Sequence, residues 1–406
     1  MTLPLSQAGR GGLAGLTAVL GNEGFRLFFP LAAFHAALWP ILWIGVQGYG
    51  LAGASDMPPV LWHMHEMIWG SYGAALIGFL TTGFPEWTDT EPPRGRPLWL
   101  LAGAWGLARL IGLVGMDALT VPAALADLAW LLGLLIYGIR ISVRKQTDEL
   151  RAFLFWLALL TLAEGVIRFQ MILGDPSAAV RAAQAGGLIL LAFLGLALAR
   201  ITVQVTNRVL DPTELTSPFR PHPGRLNLAP GLVALAVAAE ALGASPAVSG
   251  WLFLAAGAGF IDRVGEGFIG REAFRTEILS LSLPAGLAGA GLIWIGIARI
   301  GAPTGEAGGW HLALMGGLGL AVLASMSVAG LFHAGYALPF PRRIRFALLA
   351  LIAAVLCRIL PEVTDLDPLI MHLSASALWA LTFGLWLSAY WPILSDPETI
   401  AGETIC

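Results

Sequence analysis

Two histidines and a carboxylate lie within four positions of the stretch LWHMHEMIWG (residues 61–70): His63, His65 and Glu66. Imidazole ligates zinc, copper and haem iron, and a nearby carboxylate can accept its second N–H. Positions two apart on an α-helix point about 200° away from each other, whereas positions three apart share a face. We therefore expect His63 and His65 to serve different partners, with Glu66 orienting His63. The order H-M-H-E is not the H-E-x-x-H pattern of zinc proteases.

The composition shows which kind of structure must position these side chains. The 406 residues are 57% hydrophobic and 12% charged, with a mean hydropathy of +0.76. A soluble domain carries about 25% charged residues. We therefore predict an all-α, polytopic membrane helix bundle that lies in a lipid bilayer and has no nucleic-acid partner. Two cysteines, Cys357 and Cys406, exclude a disulfide framework, and no C-x-x-C-H motif predicts covalent c-type haem.

Apolar runs of about 20 residues, the length that spans a bilayer, recur along the whole chain. They predict about twelve transmembrane helices in a single domain (1–406), with an N-terminal segment (1–26), a central loop (202–225) and a C-terminal tail (395–406). The predicted spans are 27–50, 59–84, 98–116, 119–140, 152–173, 178–201, 226–243, 247–262, 278–299, 310–333, 343–360 and 368–394.

The arginines predict the orientation of the bundle. The even-numbered connections are rich in arginine and the odd-numbered ones are nearly free of it, with Arg181 as the clearest exception. Because positive loops stay in the cytoplasm, we expect both termini, the central loop and the tail to be cytoplasmic.

This orientation places most of the histidines near the outer face. Four of them begin the second, tenth and twelfth spans: His63, His65, His311 and His372. His35 lies inside the first span, toward the cytoplasmic side. A single histidine at a helix end is most often an interface residue, but four at one depth predict a bound metal or haem. We take these five histidines and Glu66 as candidate ligands, and a pair between His311 and either His63 or His65 as the sharpest expectation.

Several other charges lie within or near the predicted spans. Glu164 and Arg168, four apart in the fifth span, predict an ion pair on one helix face. Arg299 and Arg358 lie near outer helix ends, where they could pair with other helices, reach the interface or bind haem propionates. Three further charges are expected to pair between helices: Arg109, Asp127 and Glu240.

Four regions of the sequence resemble the NnrS family of bacterial membrane proteins. The resemblance is carried by FRLFFPLAAFHAALW (25–39), PPVLWHMHEMIWGSYGAALIGFLTTGFPEWT (58–88), the region 309–339 and VLCRILPEV (355–363), with the closing WLSAYWPIL. It implies a multi-pass protein of the bacterial inner membrane that binds haem, with copper as a second cofactor, and acts in denitrification and the nitric oxide response. From the positions of the histidines and of the outer arginine, we expect the haem contacts to be His63, His65, His311, His372 and Arg358.

The chain departs from the family pattern in two places. The sixth span ends in ARITVQVTN (199–207), without the usual proline and phenylalanine, and the ninth span lacks a histidine that relatives often carry. The positions of histidines on the second and tenth helices are also similar to those of haem–copper oxidases, a similarity of architecture alone.

Two other functions stay open on the sequence. Twelve spans with 50 glycines and 25 prolines also suit a proton- or metal-coupled transporter with broken helices. The third hypothesis is a non-catalytic subunit or assembly factor of a respiratory oxidase. Its partner would be a respiratory complex or a second copy of the chain. The sequence does not identify a catalytic residue, a substrate or an electron donor. The candidate partners are nitric oxide, another small gas and an electron donor.

Overall fold

The computed structural model describes residues 12–50, 57–114 and 120–401, and over these ranges the chain forms fourteen helices and no strand. They are α1 (Leu13–Leu20), α2 (Gly24–Tyr49), α3 (Pro59–Thr88), α4 (Arg96–Val114), α5 (Thr120–Lys145), α6 (Arg151–Leu173), α7 (Pro176–Leu210), α8 (Arg225–Ala241), α9 (Pro246–Asp262), α10 (Thr276–Arg299), α11 (Ala307–Phe332), α12 (Arg342–Ile359), α13 (Pro368–Leu394) and α14 (Glu398–Ala401). Short 3₁₀ turns follow α9 (Arg263–Gly267, Gly270–Phe274) and α12 (Leu360–Glu362).

Helices α2 to α13 correspond one by one to the twelve predicted spans. Ten of them are long and apolar enough to cross a membrane. The other two are α4 and α8. The apolar part of α8, Asn227–Ala241, is shorter than a full span. The polytopic all-α bundle is therefore confirmed, and α1 lies within the predicted N-terminal segment.

Helix α7 is longer than the sequence predicted. It continues for nine residues past the expected end at residue 201, so the central loop begins at Asp211. Thr202, Val205, Thr206 and Val209 are buried at helical spacing, which gives this extension a face that packs on the bundle. The first part of the predicted loop is therefore helix.

The outer surface of the bundle is apolar, as a lipid-facing surface must be. Leu110 and Leu162, for example, are more than 60% exposed although they lie in the middle of helices. The interior is filled by large aromatic side chains, and Trp69, Trp130 and Trp386 are fully buried. Helices that are apolar on every face are typical of membrane proteins, because one face packs against other helices and the other contacts lipid.

Glycines allow α10 to lie very close to its two neighbours. A Cβ on Gly257 of α9 would lie 2.7 Å from the carbonyl oxygen of Gly289 on α10. A Cβ on Gly291 of α10 would lie 2.4 Å from the backbone nitrogen of Ala313 on α11. Close backbone approach at small residues is a common way to pack membrane helices. It holds α11, which carries His311, firmly against α10.

Candidate metal centre and buried ion network

Helices α3 and α11 are built alike around their histidines. Each carries a Trp-His pair near its start, and each then widens into a seven-residue π-helical segment, Glu66–Tyr72 in α3 and Leu312–Leu318 in α11. Such segments are rare and are found mostly at functional sites. The Tyr72 hydroxyl donates to the Leu314 carbonyl at 2.7 Å, so the two π segments are joined to each other.

The imidazoles of His63 and His311 lie near each other between these helices. Their ring centres are 6.4 Å apart, and the ring planes differ by 18°. The His63 ring also stacks on Trp43, with 4.5 Å between ring centres. His63 Nδ1 is buried and has no hydrogen-bond partner. His311 Nδ1 lies 2.8 Å from the carbonyl oxygen of Ala307, to which it donates, and this leaves Nε2 as the free nitrogen.

Arg358 and His372 complete the outer cluster, which we define as His63, His311, His372 and Arg358. The charge of Arg358 interacts with all three imidazoles. Arg358 also donates to Glu362 at 3.1 Å, one helical turn further on. His372 Nε2, like His63 Nδ1, is buried without a partner. Four of the residues that the sequence singled out are thus brought together.

His65 lies on the opposite side of α3 and belongs to a separate cluster. Its Nε2 is 2.9 Å from a carboxylate oxygen of Glu164, and its Nδ1 is 3.5 Å from one of Glu66. The divergence of His63 and His65 that the helical spacing predicted is therefore present. Of the two candidate partners for His311, the structure places His63 beside it.

The cluster around His65 is a network of ion pairs, the inner network, made of His35, His65, Glu66, Arg109, Asp127, Glu164 and Arg168. All seven side chains are buried. Asp127 accepts from Arg109 at 2.5 and 2.6 Å on its two oxygens and from Arg168 at 2.9 Å. Arg168 also donates to Glu164 at 2.7 Å, so the predicted pair on α6 is confirmed.

The expectation that Glu66 orients His63 is wrong. Glu66 accepts instead from Arg109 at 2.9 Å and lies 3.3 Å from His35 Nε2. A guanidinium on the neighbouring helix α4 forms a stronger hydrogen bond with a carboxylate than a neutral imidazole does, so it decides where the carboxylate points. His63 is left with aromatic contacts and an unpartnered nitrogen.

His35 lies beside the π segment of α3, near the middle of α2. Its Nδ1 is 2.8 Å from the Ser71 hydroxyl, and its ring stacks on Trp39. A Cβ on Gly70 would lie 2.4 Å from His35 Cε1, so only glycine leaves room for the imidazole here. His35 therefore joins the inner network rather than the outer cluster.

The inner network meets the distance requirement for a bound cation, but its carboxylate oxygens already accept hydrogen bonds from arginines. Ligand atoms of His65, Asp127 and Glu164 all lie within 4.8 Å of one another, the one such group of three found among the described residues. However, both oxygens of Asp127 already accept from arginines. Three carboxylates face two guanidinium groups, which leaves one unit of negative charge if both histidines are neutral. Ion pairing, rather than a bound metal, accounts for this arrangement.

The remaining predicted charge at the outer face is paired between helices. Arg299 donates to Glu240 on α8 and, with two nitrogens, to Glu306 at 3.0 and 3.1 Å. It also lies over the ring of Phe253. Of the three interpretations given for Arg299, pairing between helices is therefore the one that the structure contains.

Several residues that shape the two clusters were not singled out from the sequence. Trp43 and Tyr72 lie in apolar runs where an aromatic residue gives no distinct signal, and the Ala307 carbonyl is a backbone group. Arg109 and Asp127 were noticed as charges at membrane depth, which is the signal that marks them. Nothing in the sequence pattern indicated that they meet His65 and Glu66.

Comparison with known proteins identifies the family of the chain. No curated protein matches the chain at a significant level. A family model described as "NnrS protein" matches residues 19–398, which is nearly the whole chain and includes both π segments, the outer cluster and the inner network. The chain belongs to the NnrS family.

Proposed function

We propose that this protein is a haem-binding membrane protein of the nitric oxide response, in which His63 and His311 would hold the haem iron. One observation carries the proposal: two nearly parallel imidazoles from different helices have their ring centres 6.4 Å apart, and one of them has a buried nitrogen without a partner. We further propose the bacterial inner membrane as its location, with the outer cluster on the periplasmic side, from the arginine distribution.

The two rings are close enough to bind the same metal. Metal–imidazole bonds are about 2 Å long, so two imidazoles that share a metal have ring centres at most roughly 6 Å apart. The rings of His63 and His311 are 6.4 Å apart. A buried polar atom without a partner is costly, and coordination by Nδ1 of His63 would remove that cost.

The neighbouring residues have roles that fit such a site. The hydrogen bond from His311 Nδ1 to the Ala307 carbonyl fixes the tautomer that presents Nε2. Trp43 holds the His63 ring by stacking. Arg358 supplies a positive charge beside the imidazoles, suited to a carboxylate such as a haem propionate. When bound, haem would supply a redox-active iron, and a diatomic gas would bind this iron in place of one of the two histidines.

We propose no ligand set for copper. Among the described residues, the three outer histidines do not form a group whose nitrogens all lie within 4.8 Å of one another. The group that does, His65 with Asp127 and Glu164, is occupied by arginines. The ninth span, which often carries a further histidine in relatives, is α10 here and has none.

The test is an optical spectrum of the detergent-purified protein expressed with ample haem, oxidised and then reduced with dithionite. A Soret band with sharp α and β bands is expected, followed by a shift when nitric oxide is added. His63→Ala and His311→Ala should each lose the sharp reduced bands. A colourless protein would refute the proposal.

Two histidine variants serve as controls. His222→Ala changes a loop histidine that contacts only its own turn, so the spectrum should not change. His65→Gln keeps a hydrogen-bonding side chain in the inner network and should keep the haem bands. If His65→Gln lost the bands while His63→Ala kept them, the assignment of the ligand pair would be wrong.

A further inference from the structure

A wide crevice opens at the end of the bundle that the arginines predict to be cytoplasmic. It lies between α2, α3, α7 and α11 and has a volume of about 860 Å³. The central loop and the ends of α3 and α7 contribute charged walls, among them Glu86, Arg200 and Arg208. This volume lies in the range of ligand pockets, and charged walls of this kind hold water.

The same four helices line a second, smaller space beside the crevice, which we call the inner chamber. Its volume is about 60 Å³, and it shares Phe29, Phe79 and Ser325 with the crevice. The shared side chains show that the two spaces adjoin each other. Tyr72 and Leu318, which end the two π segments, line its far side.

The walls of the inner chamber are almost entirely apolar. Apart from Tyr72 and Ser325, every lining side chain is a hydrocarbon or a methionine. The Tyr72 hydroxyl already donates to the Leu314 carbonyl. A buried water needs two to four polar partners, whereas apolar cavities stay dry and take up xenon or other non-polar molecules. The walls thus exclude ions and hold water poorly.

The chamber also lies close to the histidine-bearing segments. Tyr72 is nine residues beyond His63, roughly 14 Å along α3, and Leu318 is seven residues beyond His311, roughly 10 Å along α11. We infer that the inner chamber is a binding site for a small, uncharged, non-polar gas molecule, which enters from the crevice past Ser325. Its role as an entry route rests on the proposed haem site, whereas gas binding in the chamber does not.

Xenon is the probe for the chamber itself. Crystals of the protein pressurised with xenon should show a xenon atom between Phe79 and Met326, and the site should be lost in Val322→Phe, which fills the chamber from α11. Absence of xenon from the chamber in the native protein would overturn the inference. So would lipid chain density at that position, or a xenon atom that stays in Val322→Phe.

Gas entry is tested on the haem-loaded protein by the rate of carbon monoxide or nitric oxide rebinding after a laser flash. Ser325→Leu narrows the junction and should slow rebinding from solution several-fold. Ala329→Leu adds the same side chain one helical turn away, where it lines only the wide crevice, and should leave the rate unchanged. Equal rates in the two variants would overturn the entry route.

The two proposals can fail separately. A protein without haem would refute the proposed function, while the xenon measurement would still decide the chamber. A haem protein without chamber xenon would keep the proposed function and refute this inference.

Discussion

Replacing Asp127 by asparagine should destabilise the protein more than any comparable change of an exposed charge. The carboxylate is fully buried and accepts four hydrogen bonds, from Arg109 on both of its oxygens, from Arg168 and from Trp130. Asparagine has the same shape but no charge, and its amide nitrogen would face a guanidinium N–H instead of accepting from it.

The magnitude follows from burial. Without the Asp127 carboxylate, Arg109 keeps Glu66 and Arg168 keeps Glu164, but each guanidinium loses its charge-assisted hydrogen bonds to Asp127. At about 1.5–3 kcal/mol for each such guanidinium–carboxylate contact, the loss should cost about 3–6 kcal/mol. The matched control is Asp262→Asn on α9, which breaks the pair with Arg225 at 2.7 Å. Both members of that pair are about a third or more exposed, so water already screens the two charges and the loss of the pair should change stability little.

The assay is the free energy of unfolding from reversible titration with sodium dodecyl sulfate in mixed micelles, followed by helical circular dichroism. Asp127→Asn should lower this free energy by several times the effect of Asp262→Asn. If the two variants unfolded at the same detergent fraction, the inner network would not be the buried, mutually dependent set of charges described above.

Two further predictions concern hydrogen bonds. Tyr72→Phe and Tyr390→Phe each remove a 2.7 Å hydrogen bond from a phenol to a backbone carbonyl of α11, so each should lower the free energy of unfolding in detergent by about 0.5–1.5 kcal/mol. Only Tyr72→Phe should also shift the haem spectrum, since only Tyr72 binds the π segment that follows His311. An equal spectral shift in both variants would contradict this. Hydrogen bonds from Thr213 and Thr216 lower the pKa of Asp211 from its ordinary value of 3.8 to about 2. The turn that these bonds close should therefore persist as the pH falls below 3.8 and should open only near pH 2. A carbon-detected NMR titration of the Asp211 carboxyl with a midpoint near 3.8 would refute this prediction.

Local spacing predicted the parts of the site that depend on one helix alone. The opposite directions of His63 and His65 follow from 3.6 residues per turn, and the Glu164–Arg168 pair follows from a separation of four. The helices themselves were predicted well because the bilayer imposes their length. The extension of α7 was missed, because a polar helix that leaves the membrane resembles a loop in hydropathy.

Contacts between helices could not be predicted from one sequence. The choice of Glu66 between His63, His35 and Arg109 depends on which helices are neighbours, and no spacing rule supplies that. The π segments also lack a reliable sequence signal, although both lie in glycine-containing stretches after a histidine. Charges at membrane depth were the useful guide, because each needs a partner wherever the fold places it.

The crevice also changes where an electrical potential would fall across this protein. Ser325 lies seven residues from Phe332 on α11, so a water-filled crevice removes roughly 10 Å from a hydrocarbon thickness of about 30 Å. The potential would then drop mainly across the remaining outer part, which contains the inner network and the outer cluster. Each elementary charge that crosses a full potential of 100 mV is worth about 2.3 kcal/mol. An electron or proton that reaches the outer histidines from the crevice would therefore cross most of that field within a short distance, and its equilibrium would depend on membrane voltage.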